Sequence, residues 1–307
     1  MIRDDPPVCA EGWEALCGDS LPWLLDETRP NLLWRVLVEL VGRPTDSPAV
    51  RRARSGANAC SPVADLLKDL QPDGSWSSDS SFWADHRGPG WRLLAAVQWG
   101  ADPEDPRLHA ASERLLLEAP GEGGLAEKAG AESDVVVTAR TLEAMADLGW
   151  CRHARVQEWL AWFEATEVWE DDPSAAVAVL RAGAACDRSG LRDRAVAALD
   201  QRLICSGGNN LTTLGHPNFH RTDLAEIFAA FVEVGVPYRD GWDRILAKLQ
   251  RVQDSKGRWD RVSSVPKMLG LPGSHEPSHW ITLKATRALL TYAVEARLPR
   301  AFPLPPG

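Results

Sequence analysis

Tyrosine is almost missing from this chain of 307 residues, which has two of them against 14 tryptophans. Large aromatics both bury area and line cavities, and composition does not separate those uses. A basic face is missing too. The formal net charge is −9, with no lysine–arginine cluster interleaved with aromatics, so neither a nucleic acid nor an anionic membrane is an expected partner. No apolar run approaches the length of a membrane span. The opening stretch MIRDDPPVCAEGWEALCGDS is acidic, broken by prolines and without the apolar core of a signal peptide, so the expected location is cytoplasmic. The six cysteines, Cys9, Cys17, Cys60, Cys151, Cys186 and Cys205, form no C-x-x-C pair. Neither a zinc knuckle nor a redox motif is indicated, and buried or idle thiols are expected.

Alternating strand patterns are absent as well, and nearly every segment has a helical period. PNLLWRVLVELVG places Leu32, Val36 and Leu40 on one stripe. DLAEIFAAFVEVG does the same with Leu224, Ile227, Phe228 and Phe231, and WITLKATRALLTYAV does so more loosely. The fold class is all-α. The helices come in pairs whose joints share one plan: a helix ends near a small residue, a Pro/Asp turn follows, and a second helix starts at a capping residue such as Ser47, Asp105 or Asp240. Helices of the first kind end near Gly42, Gly100, Gly149, Cys186, Gly235 and Val294, at intervals of roughly 37 to 59 residues. That is a degenerate repeat of two-helix units, about six in number. No Gly/Ser-rich linker divides them. One domain over residues 20–298 is expected, with irregular ends at 1–19 and 299–307.

The segment LQPDGSWSSDSSFW, Leu70 to Trp83, sits between hairpins, and its pattern returns as VQDSKGRW, Val252 to Trp259. Gln71-x-x-Gly74-x-Trp76 and Gln253-x-x-x-Gly257-x-Trp259 resemble the repeated QW motif of squalene–hopene and related class II terpene cyclases. The hairpin plan resembles the α/α-toroid shared with protein prenyltransferase β subunits, and EPSHWITLKATRALL and FHRTDLAEIF look like a group of short, single-toroid bacterial cyclase-like proteins. The resemblance spans roughly residues 20 to 295 and implies a closed (α/α) toroid of about six hairpins. In it, Trp76 and Trp259 are staples between repeats, and inner helices start around a central cavity. A fold of this kind hosts several chemistries.

Polar residues at those inner-helix starts are therefore the candidates. The five joints carry Asp85, His86 and Trp91; Glu132, Asp134, Thr138 and Arg140; Asp171, Asp172 and Ser174; His216, His220, Arg221 and Asp223; and His275, His279, Trp280 and Lys284. Five of the seven histidines lie there. Class II cyclases protonate an alkene or epoxide with the middle acid of an Asp-x-Asp-Asp motif. In WEDDPSAAVAVL, Asp171 and Asp172 align with the last two acids, while Trp169 stands where the first would be and Pro173 replaces the usual Thr. A buried acid beside a carboxylate can act as a proton donor, but Asp134, Asp171, Asp172 and Ser174 also suit helix capping. His220 and Asp223, spaced i, i+3, suit a base oriented by a carboxylate. No Asp-x-Cys and no Asp-rich motif occurs, so no metal or other cofactor is expected, and diphosphate ionisation is disfavoured.

The resemblance thus implies an enzyme of specialised metabolism that performs an intramolecular cyclisation or isomerisation in an aromatic-lined central cavity. Asp171, Asp172, His220 and Asp223 are the catalytic candidates. His86, Trp91, Asp134, Arg140, Arg221, His279 and Trp280 are the binding candidates for an apolar or cationic small molecule. His86, Asp171, Asp172, His220, Asp223 and His279 are expected to line one cavity. Two alternatives stay open: a binding or scaffold protein that kept the toroid, favoured by a polar or filled centre, and a carbohydrate-active toroid with carboxylates such as Glu132 or Asp134 facing Asp171. Homo-oligomerisation is also open.

Overall fold

The structure, a computed structural model, describes residues 16–18, 20–76, 82–83, 88–121, 123–126, 130–261 and 277–298. Among these residues there are thirteen α-helices and no strand. In chain order α1 spans Ser20–Leu24, α2 Pro30–Glu39, α3 Pro48–Ala57, α4 Val63–Leu67, α5 Pro89–Gln98, α6 Pro106–Glu118 and α7 Val135–Asp147. They are followed by α8 Ala154–Ala165, α9 Pro173–Ala185, α10 Ser189–Ser206, α11 Leu224–Glu233, α12 Trp242–Arg251 and α13 His279–Tyr292.

Two kinds of helix follow from two kinds of sequence. In α7, α9 and α11 every residue of 137–145, 174–180 and 224–231, respectively, is buried. A helix buried on all sides belongs inside a larger assembly. By contrast α12 buries Trp242, Ile245, Leu246 and Leu249 and turns Arg244 and Arg251 to water, the stripe of an outer helix. Prolines at the first turn start α2, α3, α5, α6 and α9, where the missing N–H is not needed. Asp105, Asp134, Asp172, Asp223 and Ser278 cap α6, α7, α9, α11 and α13 through their side chains. Two expected caps differ. Ser47 precedes α3 without a side-chain bond, and α12 starts at Trp242 after Gly241, one residue beyond Asp240.

The inner helices form a closed ring. α5 packs on α7, α7 on α9, α9 on α11, α11 on α13, and α13 on α1 and α2. Asn31 and Trp34 of α2 donate to the Trp99 and Gly100 carbonyls that follow α5. The two ends of the described chain meet where Gln253 Nε2 donates to the Leu16 carbonyl and Arg287 pairs with Glu39 at 3.0 Å. Outer helices α3, α6, α8 and α10 pack on the inner helices before them, and α12 packs on α13 while Trp242 also meets Phe228 and Phe231 of α11.

The paired joints are built alike. Trp76 and Trp259 are buried, and each indole donates to the carbonyl ten residues back, of Leu66 and Leu249. Their glycines sit in the left-handed region, at φ 79° for Gly74 and 73° for Gly257. A Cβ would fall 2.3 Å from the Ala110 carbonyl carbon at Gly74 and 1.7 Å from the Cys17 carbonyl oxygen at Gly257. Glycine is therefore required twice over, by its dihedral and by the backbone of the neighbouring repeat.

The cysteine expectation is corrected at one pair. Cys151, in a short turn after α7, is bonded to Cys186, the C-cap of α9, with Cα atoms 5.2 Å apart. Side-by-side inner helices end at the same level, which brings together two cysteines 35 residues apart. Such a bond is typical of oxidising compartments, a point against the cytoplasmic expectation. Closing a loop of this length contributes about 4 kcal/mol in the chain-entropy account. Alkylation of the unfolded, unreduced protein is expected to leave Cys151 and Cys186 unlabelled and to label both after reduction; labelling of both without reduction would contradict the pairing.

Candidate active site

The start of α11 brings two carboxyl groups into one helical turn and treats them oppositely. Asp223 is 1% exposed. Its Oδ1 accepts from the Glu226 amide at 2.9 Å and its Oδ2 from the Gly215 amide at 2.8 Å. Burial pushes its carboxyl up to about 6, aided by the neighbouring Glu226 and opposed by Lys284 and the amide donors. For Glu226 burial also works against charge, but Arg140, Lys284 and Arg181 outweigh it and hold this carboxyl well below the usual range. Two acids pushed apart in this way divide naturally into a proton carrier and a fixed anion.

Asp223 faces a cavity of about 300 Å³. Asp172, Asn218, His220, Arg221 and Thr222 also line it. Of the residues expected to converge, Asp172, His220 and Asp223 do share this space, together with the binding candidate Arg221. The helical spacing expected for His220 and Asp223 does not hold, because His220 lies in the loop before α11, exposed at the cavity edge. Asp172 spends Oδ1 on the amides of Ser174 and Ala175. Asp171 is exposed and does not line the cavity.

The remaining candidates lie elsewhere. Asp134 is exposed and caps α7 through the Val137 amide. Trp91 is buried against Trp83, Phe219 and His220, with ring centres 5.4, 5.3 and 4.9 Å away. His279 stacks on Trp23 of α1 at 3.5 Å, and burial pushes its imidazole down to about 4. It does not join the Asp223 cavity. His86 lies outside the described residues, as do Asp85 and His275.

Arg140 is corrected from a ligand contact to a wholly internal clamp. Its side chain is 1% exposed. Nε donates to the Phe219 carbonyl, Nη1 to Glu143 and Glu226, and Nη2 to Glu226 and the Arg221 carbonyl. A guanidinium has five N–H donors, and five bonds leave none for a substrate. Around it Arg181 pairs with Glu143, Glu226 and Glu233 at 2.8, 3.4 and 3.0 Å, and Thr222 and Asn218 donate to Glu226. The axis of the ring is therefore filled with ion pairs. The cavity left there, about 80 Å³, is bounded mainly by ionisable side chains with Trp280 as its one aromatic ring besides His216. This differs from the aromatic-lined centre expected. The cause is legible after the fact in α7, α9 and α11, where Glu143, Arg181 and Glu226 interrupt otherwise apolar helices. A charge in an all-round buried helix must meet its opposite nearby.

No family model matches the chain, and no curated protein matches it. Among solved structures it is similar to the apo form of the type II terpene cyclase MstE from Scytonema, at 16% identity over 87% of this chain and 88% of that one, with a TM-score of 0.46. A variant of the same cyclase, in complex with the substrate geranylgeranyl dihydroxybenzoate, matches at 17% identity over 88% of this chain and 87% of that one, with a TM-score of 0.43. The overlap is too loose to transfer any residue role to this chain.

Replacing Arg140 by Met is expected to cost about 3–5 kcal/mol in denaturant unfolding, because Glu226 would remain buried without its bidentate partner. A cost below about 1 kcal/mol would contradict the clamp.

Proposed function

We propose that this chain is a small-molecule enzyme of specialised metabolism that carries out an intramolecular cyclisation or isomerisation by proton transfer, with Asp223 as the acid. The observation that carries this reading is the buried Asp223 carboxyl, raised to about 6, on the wall of a cavity of about 300 Å³. A carboxylic acid whose pKa is raised to about 6 keeps a protonated fraction in mildly acidic to neutral solution and can pass a proton to an alkene or carbonyl carbon. Its conjugate base is then steadied by the Gly215 and Glu226 amides and by the Lys284 charge. His220, at the cavity edge, is placed to take a proton from the adjacent carbon of the cation, so the reaction moves a bond without net oxidation or hydrolysis. Asp172 and Arg221 bound the same space and would orient the substrate. The lining suits a molecule with a polar or anionic group better than the purely apolar or cationic ligand suggested by the tryptophan content.

A second reading has its own support. The ion-paired axis and the capping duty of Asp223 fit a toroid retained as a binding or scaffold protein. The two readings separate in deuterium oxide. A library of isoprenoid alkenes and enones is incubated with the protein, and deuterium uptake is followed by mass spectrometry. The enzyme reading expects uptake that Asp223→Asn abolishes and Asp134→Asn preserves. Because the protonated acid is the active form, the rate should fall as pH rises through about 6. Uptake indifferent to Asp223→Asn would overturn Asp223 as the acid, and no uptake with any compound would favour the scaffold.

A further inference from the structure

Asn218 lies in the loop before α11, 5% exposed, on the wall of the Asp223 cavity. Buried loop backbone has no helical partners of its own and must find others. Here they come from Gln98, the last residue of α5 and 120 positions earlier in the chain. The Gln98 side-chain amide donates to the Asn218 carbonyl at 2.7 Å and accepts from the Asn218 amide at 2.6 Å. Two bonds from one planar group fix both the place of Asn218 and its orientation.

That clip holds the Asn218 side chain between the two acids. Nδ2 donates to Glu226 Oε2 at 2.8 Å and reaches Asp223 Oδ2 at 3.5 Å. An amide nitrogen has two hydrogens, one for each carboxyl. Glu226 does not need its share: Arg140 binds both of its oxygens, and Thr222 donates at 2.6 Å. The Asp223 contact is long, and Oδ2 already accepts from the Gly215 amide at 2.8 Å. Hydrogen bonds to a reacting group are often long in the ligand-free protein and tighten in the reacting complex. On Asp223, full negative charge develops when its proton leaves. We propose that Asn218 and Gln98 are positioning residues for Asp223: Asn218 supplies a third donor, beside the Gly215 and Glu226 amides, to the carboxylate formed on proton transfer, and Gln98 holds Asn218 in place for it. This rests on the reading of Asp223 as the acid. A donor that meets the ionised carboxyl more closely than the neutral one favours release of the proton.

The test follows the Asp223 carboxyl by carbon-13 NMR through a pH titration of the whole folded protein, and it needs no substrate. Asn218→Leu keeps the approximate size of the side chain and removes the donor. Gln98→Met removes the two bonds of the clip and leaves Asn218 in the chain, so it also serves if Asn218→Leu does not fold. Asn218→Leu is expected to raise the Asp223 midpoint by about 0.5 or more, because the ionised form loses a donor. Gln98→Met is expected to move it the same way by less. The charged and titratable groups that face Asp223 are unchanged in both variants: Glu226 on its own helix, Lys284 on α13, and Asp172, Arg202, His220 and Arg221 around the cavity. Asn210 is exposed on the wall of the same cavity, and Asn210→Ala should leave the midpoint where it is. Midpoints unmoved in both variants while Tm falls would reduce the pair to a structural tie and overturn the proposal, as would an equal rise in Asn210→Ala. The two readings fail separately. A raised midpoint without deuterium uptake would keep the positioning role and count against the enzyme, whereas uptake that depends on Asp223 with both midpoints unmoved would do the reverse.

Discussion

Arg140 brings a full positive charge to the axis of a helical ring, and much of the local architecture follows from keeping it paired. A buried guanidinium is tolerable only when its charge and donors are met. Meeting them takes Glu143 one turn along α7, Glu226 on α11, and two carbonyls in the loop before α11. The loop from Gly215 to Thr222 is thereby tied to a helix about eighty residues earlier in the chain. Asn218 is pinned further by Gln98 of α5. Three inner helices thus converge on one loop, and that loop forms part of the walls of both cavities.

The same clamp sets the chemistry of its neighbours. Arg140 and Arg181 hold Glu226 ionised, and this fixed negative charge, three residues from Asp223, helps push the Asp223 carboxyl the other way. Burial alone would raise both acids; the placement of the arginines breaks the symmetry. Lys284, set apart from direct pairing, tempers both carboxyls from the α13 side. The neutral state of His216 follows from its burial and from that same lysine. The opposite treatment of the two carboxyls and the neutrality of the nearby imidazole therefore share one electrostatic origin.

What was legible in the sequence was local. The all-helical class, the inner-helix ends, the caps at Asp105, Asp134 and Asp172, and the glycine-tryptophan joints all depend on residues within about ten positions of one another. Ring closure followed only from the family resemblance, because a series of two-helix repeats fits an open solenoid as well. The pairing of Arg140 with Glu226, 86 residues apart, has no short-range signature. Neither does the Cys151–Cys186 bond, nor the stacking of His279 on Trp23. The cue for the axial network was present as single charges within apolar helices, at Glu143, Arg181 and Glu226, but which charge meets which is decided by the stagger of the helices. His220 and Asp223 suggested a shared helix face because their spacing fits one. The Asp223 cap starts the helix three residues too late for that, and loop geometry brings the two residues to the same cavity instead.

Carbon-13 NMR of the side-chain carboxyls, followed through a pH titration of the folded protein, tests the central claim most directly. Asp223 is expected to titrate with a midpoint near 6, while Glu226 stays ionised down to acid unfolding. By linkage, an Asp223 pKa above the unfolded value contributes stability below about pH 4 that is lost as pH rises through about 6. The Glu226 contribution runs the other way and is lost only in strong acid. An Asp223 midpoint at or below the ordinary aspartate value, or a Glu226 that titrates near it, would contradict the division of roles between the two carboxyls.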